Sequence, residues 1–199
     1  MPKVTEEHRA GMRERIQRAA LACVAEKGFS SVSMGDIIAE AGLSAGAVYV
    51  YYRSKEELIV DTGRLVFEER MAALERLGSG GEVPPPKEAV TALMTGLAQM
   101  DFFPGVAVQV WGEAVRNDKL GVVARKILAE IRGHIEKYLE GWLRVSSPSS
   151  PHDAAAEQAR RLAPAIMGLI QGFAVQAALG GEEAETAYLE SARTLLSEL

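Results

Sequence analysis

The 199-residue sequence holds a single cysteine, Cys23. One cysteine excludes an intrachain disulfide and any metal cluster built on several thiolates, and nothing in it calls for an oxidising compartment. Histidine is almost as scarce. His8, His134 and His152 are scattered, with neither an H-x-x-x-H nor an H-E-x-x-H spacing, so no metal site or cofactor is expected. The patterns G-x-S-x-G and G-x-x-x-x-G-K-[ST] are both missing, which leaves no motif for a serine hydrolase or a phosphate loop. No run shows sustained strand alternation and no internal repeat is visible. The opening MPKVTEEHRAGMRERI lacks the apolar centre of a signal peptide, so a cytoplasmic location is expected.

What is present has an ordinary globular balance, 48% hydrophobic and 25% charged, with a net charge of −5. The charge is unevenly placed: residues 1–55 carry a local +2, so residues 56–199 hold −7. A basic end on an acidic protein points to an anion met by that end alone. Residues 162–181 contain no charge and are long enough to cross a membrane. They also contain Pro164, Gln171, Gln176 and four glycines, which favours a helix buried in protein; no membrane partner is expected.

Apolar residues recur at helical spacing almost throughout. Met12, Ile16, Ala20 and Val24 form one stripe of a first helix, stopped by Lys27-Gly28. Ser33 with Asp36 opens a second helix over 34–41, Gly42 ends it, and Ser44 caps a third over 45 to about 52. Ser54-Lys55-Glu56-Glu57 opens a long fourth helix that carries Leu58, Thr62, Leu65, Val66 and Glu69 and reaches about Leu77. Gly78–Pro86 breaks the pattern, and Ser146–Pro151 is a second loop. A fifth helix from Lys87, a sixth over 106–116, a long seventh capped by Asp118, an eighth over about 153–179 and a ninth over about 183–197 complete an all-α chain of about nine helices.

Three capped helices within 25 residues, the second pair joined by Ala41-Gly42-Leu43-Ser44, predict a helix-turn-helix. Gly42 supplies the left-handed backbone of the sharp turn, and Leu43 plugs the space between the two helices. The third helix begins with Ala45-Gly46-Ala47, small enough for close approach to base edges. Tyr49 and Tyr51 are then aromatic groups able to reach phosphate, whereas Tyr52, four residues after Val48, is expected to face the core.

The run from Ser33 to Tyr49, SMGDIIAEAGLSAGAVY, followed by Tyr51-Tyr52-Arg53-Ser54-Lys55-Glu56-Glu57-Leu58, resembles the DNA-binding segment of TetR-family transcriptional regulators. The resemblance implies an N-terminal helix-turn-helix domain, 1–54, and a helical ligand-binding and dimerisation domain, 55–199. It implies a homodimeric repressor that binds a palindromic double-stranded operator and leaves it when a small molecule binds. By position, Ala45, Gly46, Ala47, Tyr49, Val50 and Tyr51 would face the groove, and Ser33, Ser44, Tyr49 and Lys55 would hold phosphates. Ala47 stands where the family commonly has threonine or serine, and Tyr52 where it commonly has phenylalanine.

In the second domain, Met94, Met100, Phe102, Phe103, Trp111, Trp142, Met167 and Phe173 are candidate walls of an apolar effector pocket, with Gln109, Glu113 and Gln171 as its polar groups. Gly168 and Gly172, with Ile166, Leu169, Phe173 and Leu195 around them, are candidates for a two-fold interface. Helix four is the expected rod between the parts, displaced when ligand shifts helix six or seven. The competing expectation is an all-α carrier or enzyme whose helix-turn-helix is only structural.

Overall fold

The computed structural model describes residues 6–65, 83–100, 102, 104–147 and 152–199. Its helices are α1 (Glu6–Lys27), α2 (Met34–Ala41), α3 (Ala45–Tyr49), α4 (from 55 through 65, where the described stretch ends), α5 (Pro86–Ala98), α6 (Gly105–Arg116) and α7 (Asp118–Ser146). A last helix, His152–Leu196, breaks at Gly181 (φ 65°, ψ −157°) into α8 over 152–180 and α9 over 182–196. The described residues contain no strand, so the chain is all-α. The far part of the fourth helix, with Val66 and Glu69, lies outside the described residues, as do Gly78–Gly81 and Phe103.

The helix starts follow their caps. Ser33 and Asp36 form a reciprocal capping box at α2. At α3 the Ser44 hydroxyl accepts from the Ala47 N–H at 3.2 Å. At α4 Ser54 Oγ accepts from the Glu57 N–H, while the Glu57 carboxylate accepts from the Arg53 N–H. Asp118 is not the cap of α7. Asn117 takes that place, its side-chain oxygen accepting from the N–H groups of Lys119 and Leu120. A cap needs extended backbone (φ −108°, ψ 107°), which Asn117 has and which leaves Asp118 to the first helical turn.

Two cores result. The N-terminal one joins Ile16, Ala20 and Val24 of α1 to Phe29, Val32, Ile37, Val48 and Tyr52, and it extends to Leu58 and Ile59 of α4. It also takes in Val106 of α6 and Leu120 of α7, so the first turns of α4 and the inner edge of α6 pack with the N-terminal helices rather than apart from them. The second core joins Leu93 and Met94 of α5, Ile135 and Leu139 of α7, Ile166 and Phe173 of α8, and Leu196 of α9. Tyr138 ties the approach to α5 by donating to the Pro84 carbonyl at 2.6 Å.

Two of the proposed interface residues are sealed inside the chain, which corrects their assignment, and two more meet α9 of the same chain. Ile166 and Phe173 are core. Gly172 makes room for Tyr188 of α9: a Cβ there would lie 2.4 Å from the tyrosine oxygen. Leu169 is half-buried and its carbonyl accepts from the Tyr188 hydroxyl. The i, i+4 glycine spacing therefore serves, at Gly172, an intrachain α8–α9 crossing. Gly168 and Leu195 stay exposed. By length and composition α8 contains an apolar window that would suit a membrane, but only 28% of that window is buried in the single chain. The expectation that the surrounding chain covers this helix therefore holds on one face only.

Gly42 sits at φ 60°, ψ 38°, and its N–H closes the end of α2 on the Ala39 and Ile38 carbonyls. An L side chain in that conformation costs roughly 1–2 kcal/mol, and asparagine less than alanine. Gly42→Ala is expected to lower stability by about that amount and Gly42→Asn by distinctly less. Urea midpoints measure both, and equal midpoints for glycine and alanine would show that the turn is not left-handed.

Candidate nucleic-acid interface and the cavity behind it

The turn that presents α3 is held by basic side chains used inward. The Arg15 guanidinium on α1 donates to the Ala41 carbonyl at 2.7 Å and the Gly42 carbonyl at 3.2 Å, covering the open C-terminal end of α2. Lys27 donates to Asp36 at 2.6 Å. That ammonium, with the Ser33 hydroxyl and N–H, holds the Asp36 carboxyl well below the usual carboxylate range, so the capping box keeps its charge. Lys55 donates to the carbonyls of Phe29 (2.7 Å), Val32 (2.8 Å) and Ser30 (3.3 Å) and lies 4.9 Å from the centre of the Phe29 ring. An ammonium has three N–H donors, so all of them have carbonyl partners. The local positive charge of the N-terminal segment is thus partly structural.

Against this frame the expected contact residues divide. Ala45, Gly46, Tyr49 and Val50 are exposed, Tyr49 at 49% and Val50 at 77%, and Ala47 and Tyr51 are half-buried. Ala45, Gly46, Tyr49 and Val50 face solvent, with the Ser44 oxygen at the start of α3, whereas Tyr51 packs against the N-terminal core. Ser33 and Lys55 were expected beside them. The Ser33 hydroxyl instead donates to Asp36 and Lys55 points into the α1–α2 turn. Lys55 turns to the bare backbone carbonyls within its reach, while Ser33 stays exposed at the start of α2.

Tyr52 faces the core, 2% exposed. Its hydroxyl accepts from the Gln17 amide and donates to Asp61, each at 2.9 Å. Burial, then the Asp61 carboxylate, push the phenol above its ordinary range, so it remains a donor at neutral pH. A phenylalanine would fill the space but would not link α1 to α4, which accounts for the hydroxyl at this position.

Between the two cores lies a cavity of about 210 Å³. Its walls come from both parts of the chain: Leu21 of α1, Ile59, Val60, Thr62 and Gly63 of α4, Val106, Ala107, Val110 and Trp111 of α6, Ala124, Ile127, Leu128 and Ile131 of α7, and Met167, Ile170 and Gln171 of α8. Leu97, Met100 and Phe102 close one end. Of the predicted pocket residues, Met100, Phe102, Trp111, Met167 and Gln171 meet here. Met94 and Phe173 are fully buried in the second core, and Trp142 packs on that core away from the cavity.

Gln109 and Glu113 face the opposite way from the cavity. The Gln109 side-chain oxygen accepts from the Phe29 N–H at 3.1 Å, and Glu113 accepts from the Ser30 hydroxyl at 2.9 Å. Spaced i, i+4, they lie on the α6 edge that meets the N-terminal domain, whereas Ala107, Val110 and Trp111 lie on the edge that meets the cavity. The wall residues from α4 and α7 were not singled out from sequence, because their apolar spacing is that of any core helix.

Residues 16–62 match the family described as bacterial regulatory proteins, tetR family. The chain is 42% identical over 65 residues to the uncharacterized HTH-type transcriptional regulator YfiR of Bacillus subtilis, a match that spans 31% of this chain and 32% of that protein. It is 29% identical over 185 residues to the HTH-type transcriptional regulator BetI of Agrobacterium fabrum, spanning 90% of this chain and 82% of that one. A transcriptional regulator of the TerR/AcrR family from Aquifex aeolicus shares the fold at a TM-score of 0.71 and 21% identity, over 94% of this chain and 98% of that chain.

Because Lys55 holds the α1–α2 turn against α4 through three carbonyls, Lys55→Met should lower stability by on the order of 2 kcal/mol, the usual worth of hydrogen bonds to a charged group. Urea denaturation reads this. A midpoint unchanged from the wild type would mean that the ammonium contributes nothing to holding the turn.

Proposed function

The chain is a TetR-family transcriptional regulator with an N-terminal DNA-binding helix-turn-helix, and we propose that it works as a homodimeric repressor, released from a palindromic operator by a small apolar molecule bound in the cavity between its two cores. The observation that carries the DNA-binding surface is the exposed part of α3, where small residues and the exposed Tyr49 and Val50 stand on the α2–α3 turn fixed by Arg15, with Lys55 holding the α1–α2 turn. With few polar side chains on that face, apolar contacts with thymine methyls, the tyrosines and DNA shape supply the sequence preference. The site of action is cytoplasmic, where the operator is.

Two-fold pairing is supported by the uncovered part of α8 and α9. Ala165, Gly168 and Leu179 of α8 and Ala187 and Leu195 of α9 are exposed, with Leu179 at 81%. A second copy laid against this face removes it from water and sets two recognition helices about 34 Å apart, one helical turn of DNA. The regulatory segment thus begins within α4 rather than at a sharp boundary after residue 54, since Leu58 and Ile59 belong to the N-terminal core.

Release follows from the position of α6. Its inner edge walls the cavity and its outer edge holds Phe29 and Ser30, the residues whose carbonyls Lys55 grips. An occupant that moves α6 moves the α1–α2 turn and, through Lys55, the start of α4 together with the recognition helix. This route runs beside the rod of helix four. Net release requires that the occupant bind the conformation without DNA more tightly than the one with it.

Fluorescence anisotropy of the purified protein on DNA flanking its own gene, beside scrambled DNA, tests the reading. Preferential binding that weakens as salt rises and falls at least about tenfold in Tyr49→Ala, equivalent to ~1.4 kcal/mol, is expected. No preference over scrambled DNA, in a selection from random sequences as well, would favour a carrier instead. Once that assay yields a releasing compound, the Phe29 amide should lose hydrogen-exchange protection on its addition, and an unchanged Phe29 amide would remove α6 from the path.

A further inference from the structure

We propose that the cavity between the two cores selects an uncharged, one-ring molecule bearing a hydroxyl or similar group that the Gln171 amide binds. The inference rests on the reading of this cavity as the effector site and assigns the chemistry of what enters it.

Charge is the first constraint. Among the described residues that line the cavity there is no Asp, Glu, Lys, Arg or His. An ion entering it would leave water and meet no counter-charge among the described lining residues, and a buried charge without one costs several kcal/mol or more. The aromatic groups among the described lining residues are Trp111 and Phe102.

Polarity is the second. The Thr62 hydroxyl donates its proton to the Leu58 carbonyl at 2.8 Å and has only lone pairs left to offer an occupant. The Gln171 amide has no hydrogen-bond partner among the described residues, and it offers both an acceptor oxygen and two donors on an otherwise apolar wall. The indole N–H of Trp111 is the one other polar group in the lining without a partner, and it only donates. A hydroxyl meets either group, but of these two only the amide oxygen can accept its proton, and the amide alone both accepts and donates.

Size is the third. A cavity of ~150 Å³ takes a benzene ring, so 210 Å³ suits roughly eight to ten non-hydrogen atoms. Met100 and Met167, flexible and polarisable, adapt the walls to rings of differing substitution.

Three one-ring probes within that size separate these constraints in titration calorimetry on the full chain: 4-isopropylphenol, isopropylbenzene and phenyltrimethylammonium. The phenol should bind saturably, about five- to tenfold more tightly than the hydrocarbon and at least about a hundredfold more tightly than the cation. Gln171→Leu should erase the difference between phenol and hydrocarbon while leaving hydrocarbon binding in place. Thermal melting checks that this variant folds, and Gln171→Met replaces it if it does not. A cation that binds as well as the hydrocarbon overturns the proposal, as does a phenol preference that survives both substitutions, or saturable binding by none of the three. DNA release is read separately: a probe that binds with this pattern but leaves DNA bound supports the cavity assignment and removes only the regulatory reading.

Discussion

The Lys55 ammonium and the three carbonyls around it are the joint on which this structure depends. Between α1 and α2 the chain leaves helix with the Phe29, Ser30 and Val32 carbonyls all turned to one side. Backbone carbonyls without partners are costly where water is displaced, and the first turn of α4 supplies a cation that meets all three. The same turn is gripped from the other side by Gln109 and Glu113 of α6. Two helices that have no sequence proximity to each other thereby hold one short segment, from which α2, the first helix of the DNA-binding pair, departs.

From that joint the two halves of the molecule become mechanically continuous. Tyr52 links α1 to α4 through Gln17 and Asp61, and Val106 and Leu120 carry the N-terminal core into α6 and α7. The cavity opens where the two cores meet, with walls from both. Its walls include residues of α1, α4 and α6 at once, which is why the proposed effector would reach the DNA-reading end directly.

The helix-turn-helix was legible because each of its determinants is local. A serine three residues before an acid, a glycine at the end of eight helical residues and a second serine after a leucine each specify backbone geometry within a few positions. The burial of Tyr52 followed from its spacing to Val48 alone. The cations were read less well. Arg15 was not singled out and Lys55 was expected to meet phosphate, because a charged side chain carries no sequence mark of whether it points to solvent or to a carbonyl 26 residues away. The small residues of α8 misled for a related reason: Gly172 permits close approach, but spacing does not say whether the approaching group is Tyr188 of the same chain or a second copy.

Helical class, the number and order of helices, the caps and the DNA-binding motif were determined by the sequence itself, since hydrogen bonds and steric limits within one or two turns decide them. Which side chains line the cavity was decided only by tertiary structure. Met94 and Met100 are six residues apart on and just beyond one helix and look alike in sequence, yet one is sealed in the second core and the other closes the cavity. Gln109 and Trp111 are two residues apart and face different domains. A helix turns by about 100° per residue, so which of its faces meets which neighbour depends on how the helices are set against one another, and long-range packing alone supplies that.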